Sequence, residues 1–403
     1  MRGEADEQVL SARWIFPATS PPLERGTVTV RGERIVSVAA HGERTPDVDF
    51  GNAAIIPGLV NAHVHLDLTG LSGVNPPTPD FVGWLRGVIA HRRKQTLDQI
   101  AADIRMGLRE CLRFGTTLVG DIAAGGSSWD FLVDTPLWAV CFREVLGLPY
   151  QRVRTAWAEL GEWIEAHSDT PTCRAGVSPH APYSVHRTLI EAAARLWPVC
   201  IHLAESEAER ELLERRAGPF VDFLKDLNVW EGDGLAPSLD WVIWKTSRAP
   251  SALLAHGNYL NGSTRLPANS TIVYCPRTHD AFGHPPHPFR ELIAGGNRIA
   301  LGTDSLASNP DLDLLAEARF LHERYPDFPG DELLRTATVN GAEALGFADQ
   351  TGSLTPGKSA DLVVLSLPKT ELEDPNHLLF AHEDREARRT MWRGQWRRAT
   401  KTA

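Results

Sequence analysis

The sequence predicts an α/β chain: a (β/α)8 TIM barrel with a small β-sandwich domain built from both chain termini. Three observations predict it. Eight apolar runs alternate with helical stretches between residues 55 and 352, and continuous apolar runs suit parallel strands covered on both faces. Short strand-like segments occupy both ends of the chain. Metal-competent and titratable residues follow the apolar runs, where barrels of this kind place their chemistry.

Residues 1–54 read as short strands. Gly26–Val30 and Arg34–Val38 flank Arg31-Gly32-Glu33, a hairpin turn. This unit has too few apolar residues to stand alone. The apolar runs follow at Ile55–Leu66, Thr116–Ile122, Leu137–Val145, Ala175–Pro179, Val199–Ala204, Leu253–Gly257, Thr271–Cys275 and Ile299–Thr303. Between the first two, Leu97, Ile100, Ala101, Ile104, Leu108, Cys111 and Leu112 fall at helical spacing. Thr96 is the expected N-cap of that helix and Gly115 its stop. Glu205–Arg216 reads as a charged helix that Glu205 begins. Ser308-Asn309-Pro310-Asp311 reads as a cap with Pro in the first helical turn. The chain then returns to strands at Ala360–Leu365 and in a hairpin, Thr390–Arg397, around Gly394. We expect residues 1–54 and 353–403 to pair into one sandwich beside a barrel of residues 55–352.

The net charge of −10 lacks the basic face a nucleic-acid binder needs. No apolar run reaches the roughly 18 residues of a membrane span, and the N-terminus lacks a signal-peptide apolar core. Five cysteines, with no Cys-x-x-Cys among them, suit reduced, buried thiols in a cytoplasmic protein.

The chemistry gathers at the ends of the runs. His63 and His65, one residue apart in a strand, point the same way. Later runs end on His180, on His202 followed by Glu205, on His256, and on Asp304. Three neutral imidazoles and one carboxylate suit a single divalent cation, zinc first and iron second. We therefore expect His63, His65, His202 and Asp304 to be metal ligands. Such a cation lowers the pKa of its water to about 7. Glu205, three residues after a ligand, is the natural proton shuttle. His256 would orient the nucleophile or stabilise the developing oxyanion. The expected catalytic set is Glu205, His256 and Asp304.

The segments Pro57–Leu66, Ser178–Ser184, His202–Glu205, Ala255–Asn258 and Leu301–Ser305 resemble the amidohydrolase superfamily in order and wording. The same holds for Gly352-Ser353-Leu354, Gly357-Lys358 and Ala360-Asp361-Leu362, so the resemblance spans nearly the whole chain. Within the superfamily the chain is most similar to the aminohydrolase and chlorohydrolase group, with its triazine hydrolases and its guanine, cytosine and adenosine-analogue deaminases. The resemblance implies the same ligand set, with Glu205 and His256 at the chemistry. It implies hydrolysis of carbon–nitrogen bonds other than peptide bonds, foremost deamination of a purine-like ring or 6-aminated nucleoside. Aminodeoxyfutalosine is one candidate substrate. A chlorohydrolase or cyclic-amide hydrolase would use the same site. Relatives are often dimers, so a homodimer is compatible. Two-metal members carry a lysine at the end of strand 4; Cys173–Ser178 contains none, which points to one metal ion. Where relatives carry Cys-Pro-x-Ser-Asn, this chain has Cys275-Pro276-Arg277-Thr278-His279-Asp280.

Plainer readings stand beside these. His63 and His65 could be core histidines, Asp304 a turn former, Glu205 a helix-dipole partner, and His256 a structural hydrogen bonder. His180 would contact substrate or orient its loop. Trp84 would stack on a substrate ring or pack in the core. Asp121 and Glu144 favour structural hydrogen bonding. Arg143 and Arg277 would bind a carboxylate or form ion pairs. His279, His284 and His287 suit a rigid Pro-rich loop better than a second metal site. A non-catalytic scaffold would have lost a ligand or the shuttle; this chain keeps all of them.

Overall fold

The computed structural model describes residues 7–370, 374–381 and 388–397. Eight strands form one sheet in sequence order. They are β1 (Leu59–Val64), β2 (Thr116–Ala124), β3 (Trp138–Val145), β4 (Cys173–Pro179), β5 (Val199–Leu203), β6 (Ala252–His256), β7 (Ser270–Tyr274) and β8 (Arg298–Leu301). Every neighbouring pair is parallel. The sheet closes on itself just past β8, where Val64 bridges Asp304. The Asp304 N–H donates to the His63 carbonyl (3.0 Å). At the same seam, Asn61 Nδ2 donates to Thr303 Oγ1 (2.7 Å), and the Thr303 N–H donates to Asn61 Oδ1 (3.1 Å). This is the barrel architecture expected.

The helix between β1 and β2 runs Leu97–Arg113 with Thr96 as N-cap. Thr96 Oγ1 accepts from the Gln99 N–H and Gln99 Oε1 accepts from the Thr96 N–H, a reciprocal cap. Gly115 follows it at φ +89°, as a helix stop requires.

Three expectations need correction. The run Ile55–Leu66 is two strands. Ala53–Pro57 belongs to another sheet, pairing antiparallel with Leu362–Ser366 and parallel with Trp14–Ile15; only Leu59–Val64 enters the barrel. Gly58 is the crossing point, since a Cβ there would lie 2.0 Å from Thr117 Oγ1. Both strands are buried, so hydrophobicity could not separate them. The helix after β8 starts at Leu314, with Asp313 as its cap. Ser308 and Asn309 are used elsewhere: Ser308 Oγ donates to Asp304 Oδ2 (2.9 Å), and Asn309 Nδ2 to the Thr303 carbonyl (2.7 Å) and Glu317 Oε1 (2.6 Å). The charged helix expected over Glu205–Arg216 begins instead at Glu207 behind Ser206 as cap and ends at Arg215, so Glu205 stands outside it.

Two further sheets flank the barrel. The expected first hairpin pairs Thr27–Arg31 with Arg34–Ala39. The second sheet joins both ends of the chain, running Gln395–Arg397, Arg389–Trp392, Leu362–Ser366, Ala53–Pro57, Trp14–Ile15, Leu23–Glu24. Leu10, Ile15, Val28, Ile55, Leu362 and Met391 share one apolar cluster. These pairings support the composite terminal unit we propose for residues 1–54 and 353–403, with Ala53–Pro57 carrying it past residue 54. Arg388 ties this unit to the barrel by a two-pronged ion pair with Asp313 (both 2.6 Å). Among the described residues no helix is long and apolar enough to cross a membrane.

Candidate active site

β1 ends by aiming His63 and His65 to one point. His202, from β5, meets them there, and the nearest ring nitrogens of the three lie within 4.8 Å of one another. His65 Nε2 and His202 Nε2 are 3.1 Å apart. Asp304 Oδ1 stands 3.7 Å from His63 Nε2 and 3.5 Å from His65 Nε2. The structure thus brings all four expected ligands together.

Supporting contacts set which nitrogens face inward. His202 Nδ1 is 2.8 Å from the His180 carbonyl, so it carries the proton and leaves Nε2 toward the cluster. Cys200 Sγ lies 3.7 Å from His63 Nδ1. His63 Nε2 and His65 Nδ1 are buried without a hydrogen-bond partner. Burial, then repulsion from neighbouring imidazoles, holds His63 and His65 well below the usual histidine range, and His202 at about 3. Burial pushes the Asp304 carboxyl up to about 7. Neutral imidazoles with free lone pairs beside a carboxylate that lacks a counter-charge are a donor set that fits a divalent cation.

Glu205 and His256 face each other beside this cluster. Glu205 Oε1 is 3.3 Å from His256 Nε2, which makes no hydrogen bond. Burial first, then the nearby Asp304 and Glu209, raises the Glu205 carboxyl well above its ordinary range. Ala204, His256 and Asp304, at the ends of β5, β6 and β8, all have positive φ (+53°, +73° and +58°). Side chains rarely adopt that region, and it marks sites where geometry is imposed by surrounding contacts.

The remaining residues sort by their contacts. His180 Nδ1 is bonded to Ser184 Oγ (2.6 Å) and its Nε2 lies 4.0 Å from Glu144 Oε1. The ring sits 4.9 Å from that of His202, so it borders the cluster while anchoring its own loop. Trp84 packs edge-on against Phe282 and beside Phe81, and its N–H donates to the Asn75 carbonyl (3.0 Å). The packing reading accounts for its contacts. Asp121 accepts from the Leu66 N–H (3.0 Å) and from Ser128 Oγ. Glu144 and Asp67 both pair with Arg92 (2.9 and 3.2 Å). Arg277 pairs with Glu317 and Asp311 (both 2.7 Å), and burial lowers the pKa of the Arg143 guanidinium. The histidines of the Pro-rich loop brace it: His279 bonds the Pro285 carbonyl, His284 the Tyr259 hydroxyl, His287 the His256 carbonyl. Among the described residues His63, His65 and His202 form the one metal-competent cluster found.

Sequence reasoning missed Ser308, Cys200, Asn258 and Glu209. Asn258 Nδ2 donates to the Glu205 carbonyl (2.9 Å). Glu209 accepts from the Ala204 and Glu205 N–H groups. Only Ser206-x-x-Glu209, a capping-box pattern, could have flagged the last of these.

A closed parallel barrel whose strand ends converge on three imidazoles, a carboxylate and a second, raised carboxyl defines a metal-dependent hydrolase. The chain belongs to the amidohydrolase family, whose model matches residues 54–397. It is 30% identical over 394 residues to a 5-methylthioadenosine/S-adenosylhomocysteine deaminase of Nitratidesulfovibrio vulgaris, covering 92% of this chain and 85% of that one. It is 28% identical over 337 residues to an aminodeoxyfutalosine deaminase of Nitratiruptor, covering 80% and 82%. Its fold matches that of Helicobacter pylori aminofutalosine deaminase in complex with methylthio-coformycin (TM-score 0.83, 22% identity, 96% and 99% covered). It also matches a zinc-bound adenosine deaminase from Xanthomonas campestris (TM-score 0.77, 24% identity, 96% and 92% covered).

Proposed function

We propose that this protein deaminates a 6-aminated purine nucleoside at a single zinc site. The observation that carries the reading is the convergence of His63, His65, His202 and Asp304 with Glu205 and His256 at one end of the barrel. The deaminase relatives support the reaction class and the nucleoside. The absence of lysine from Cys173–Ser178 supports one ion.

His63, His65, His202 and Asp304 would hold the ion, which supplies Lewis acidity and a water of lowered pKa. Glu205 takes a proton from the attacking water and passes it to the ring nitrogen beside C6. It then takes the second proton, from the hydroxyl now on C6, and delivers it to the amino group, which leaves as ammonia while the C6 carbonyl forms. A carboxyl raised by burial is suited to hold that proton at neutral pH. His256 faces Glu205 and stabilises the oxygen that develops charge at C6. His180, whose ring lies beside that of His202, would border the substrate from β4, and Trp84 would shape the pocket indirectly through its packing against Phe81 and Phe282.

The test is ammonia release by zinc-loaded protein across aminated purines, pyrimidines, their nucleosides and aminodeoxyfutalosine. Release confined to 6-aminopurine nucleosides is the expected result. Silence across the panel with one zinc bound would overturn deamination and favour another leaving group, such as chloride or a ring amide.

A further inference from the structure

Glu209 is fully buried and lies in the first turn of the helix Glu207–Arg215. Its own N–H donates to Ser206 Oγ (3.2 Å), half of an ordinary helix cap. The usual partner of such a glutamate is the N-cap N–H. Here the carboxyl, which the Ser206 N–H also faces, reaches further back as well: Oε1 accepts from the Ala204 N–H (3.0 Å) and Oε2 from the Glu205 N–H (2.9 Å). Ala204 is held at φ +53°. From the opposite side the Tyr259 N–H donates to the Ala204 carbonyl (3.0 Å), and Asn258 Nδ2 to the Glu205 carbonyl (2.9 Å).

A strained residue persists only where its surroundings over-determine it. The Ala204-Glu205 backbone is clamped on both faces, with the Glu209 carboxyl as one jaw. The Glu205 side chain leaves that clamp toward His256. A small rotation here would swing the carboxyl away from the reacting atoms, and misplacement of about 1 Å can cost roughly 100-fold in rate.

We propose that Glu209 is the positioning residue for Glu205, its buried carboxylate fixing the Ala204–Glu205 backbone so that the Glu205 carboxyl faces His256. This rests on the reading of Glu205 as the proton shuttle.

The test compares Glu209→Gln with Ser206→Ala in the zinc-loaded full chain. Gln offers one acceptor oxygen for two N–H groups, whereas S206A removes the cap bond and leaves the carboxylate bonds in place. Two substrates are used, a 6-aminopurine nucleoside and its 6-chloro analogue. Chloride departs without a proton, so its loss depends less on the shuttle than that of ammonia does. For E209Q we expect kcat on the amino substrate to fall about 30–100-fold with KM changed less than about threefold. The loss on the chloro substrate should be several-fold smaller. S206A should stay within about threefold on both. Amide hydrogen exchange at Ala204 and Glu205 should rise roughly tenfold in E209Q and remain unchanged in distant barrel strands.

Equal losses on both substrates, or kcat unchanged, would overturn the proposal. So would unchanged exchange at Ala204 and Glu205. Should E209Q fail to fold, Glu209→Asp, one methylene shorter with both oxygens kept, carries the same comparison with a smaller expected loss. If the wild type releases no ammonia, the deaminase reading has failed, and the exchange measurement alone decides whether Glu209 holds the clamp.

Discussion

A carboxyl that must carry a proton to an amine at neutral pH has to be kept from ionising early. Burial shifts Glu205 in that direction, raising its carboxyl above the ordinary range, so that a proton taken from water is held until it is passed on in the role we propose. Glu205→Gln keeps the shape and removes the titratable group. We expect kcat to fall by about 10²–10⁴ with zinc content unchanged; turnover within about threefold of wild type would refute the shuttle role. Asp121 shows the same physics without chemistry. Burial raises its carboxyl from the ordinary 3.8 to about 7. A pKa raised in the folded state contributes stability that is complete below the unfolded value and is lost as pH rises through the folded one. Asp121→Asn has no such loss. The stability of D121N relative to wild type should therefore improve by about 1 kcal/mol or more between pH 5 and pH 8, read from urea midpoints. A pH-independent difference would contradict the raised value.

At the scale of elements, local pattern told more than distant contact. His63 and His65 were legible because strand geometry alone forces them to one face. Asp304 and His256 were legible because a polar residue ending an apolar run stands out. Thr96 announced a helix start by residue type, just before the helically spaced apolar residues. The boundary inside Ile55–Leu66 was not legible, because Ala53–Pro57 and Leu59–Val64 are both buried and differ only in which sheet receives them. Glu209 and Ser308 were not legible as site residues, since their roles depend on which backbone groups and carboxylates the fold brings to them. The Gly58 crossing gives a test at this scale. Gly58→Ala places a methyl against Thr117 and should cost about 1–3 kcal/mol in denaturant unfolding. No loss would mean that the two strands can part without a glycine between them.

For the whole molecule, the cation and the fold should be one thermodynamic system. The four ligands we propose come from β1, β5 and the turn after β8, so an ion that binds only the closed barrel would stabilise all of it. At a free zinc level of about 100 times the dissociation constant, the gain is about 2.7 kcal/mol. We expect chelation to lower the melting temperature by a few degrees, and His202→Ala to abolish that difference. A chelator-insensitive wild type that still binds zinc would contradict the coupling. The seam between β1 and β8 adds a consequence in time. Asn61 and Thr303 are joined across 242 residues, and Asp304 docks on His63 beside them. During synthesis, then, two of the histidines leave the ribosome long before the carboxylate that completes their set. The nascent chain can offer a loose pair of imidazoles, but the proposed coordination cage would be complete only when the last strand seats against the first. Loading of the ion would thereby serve as a checkpoint on completion of the fold.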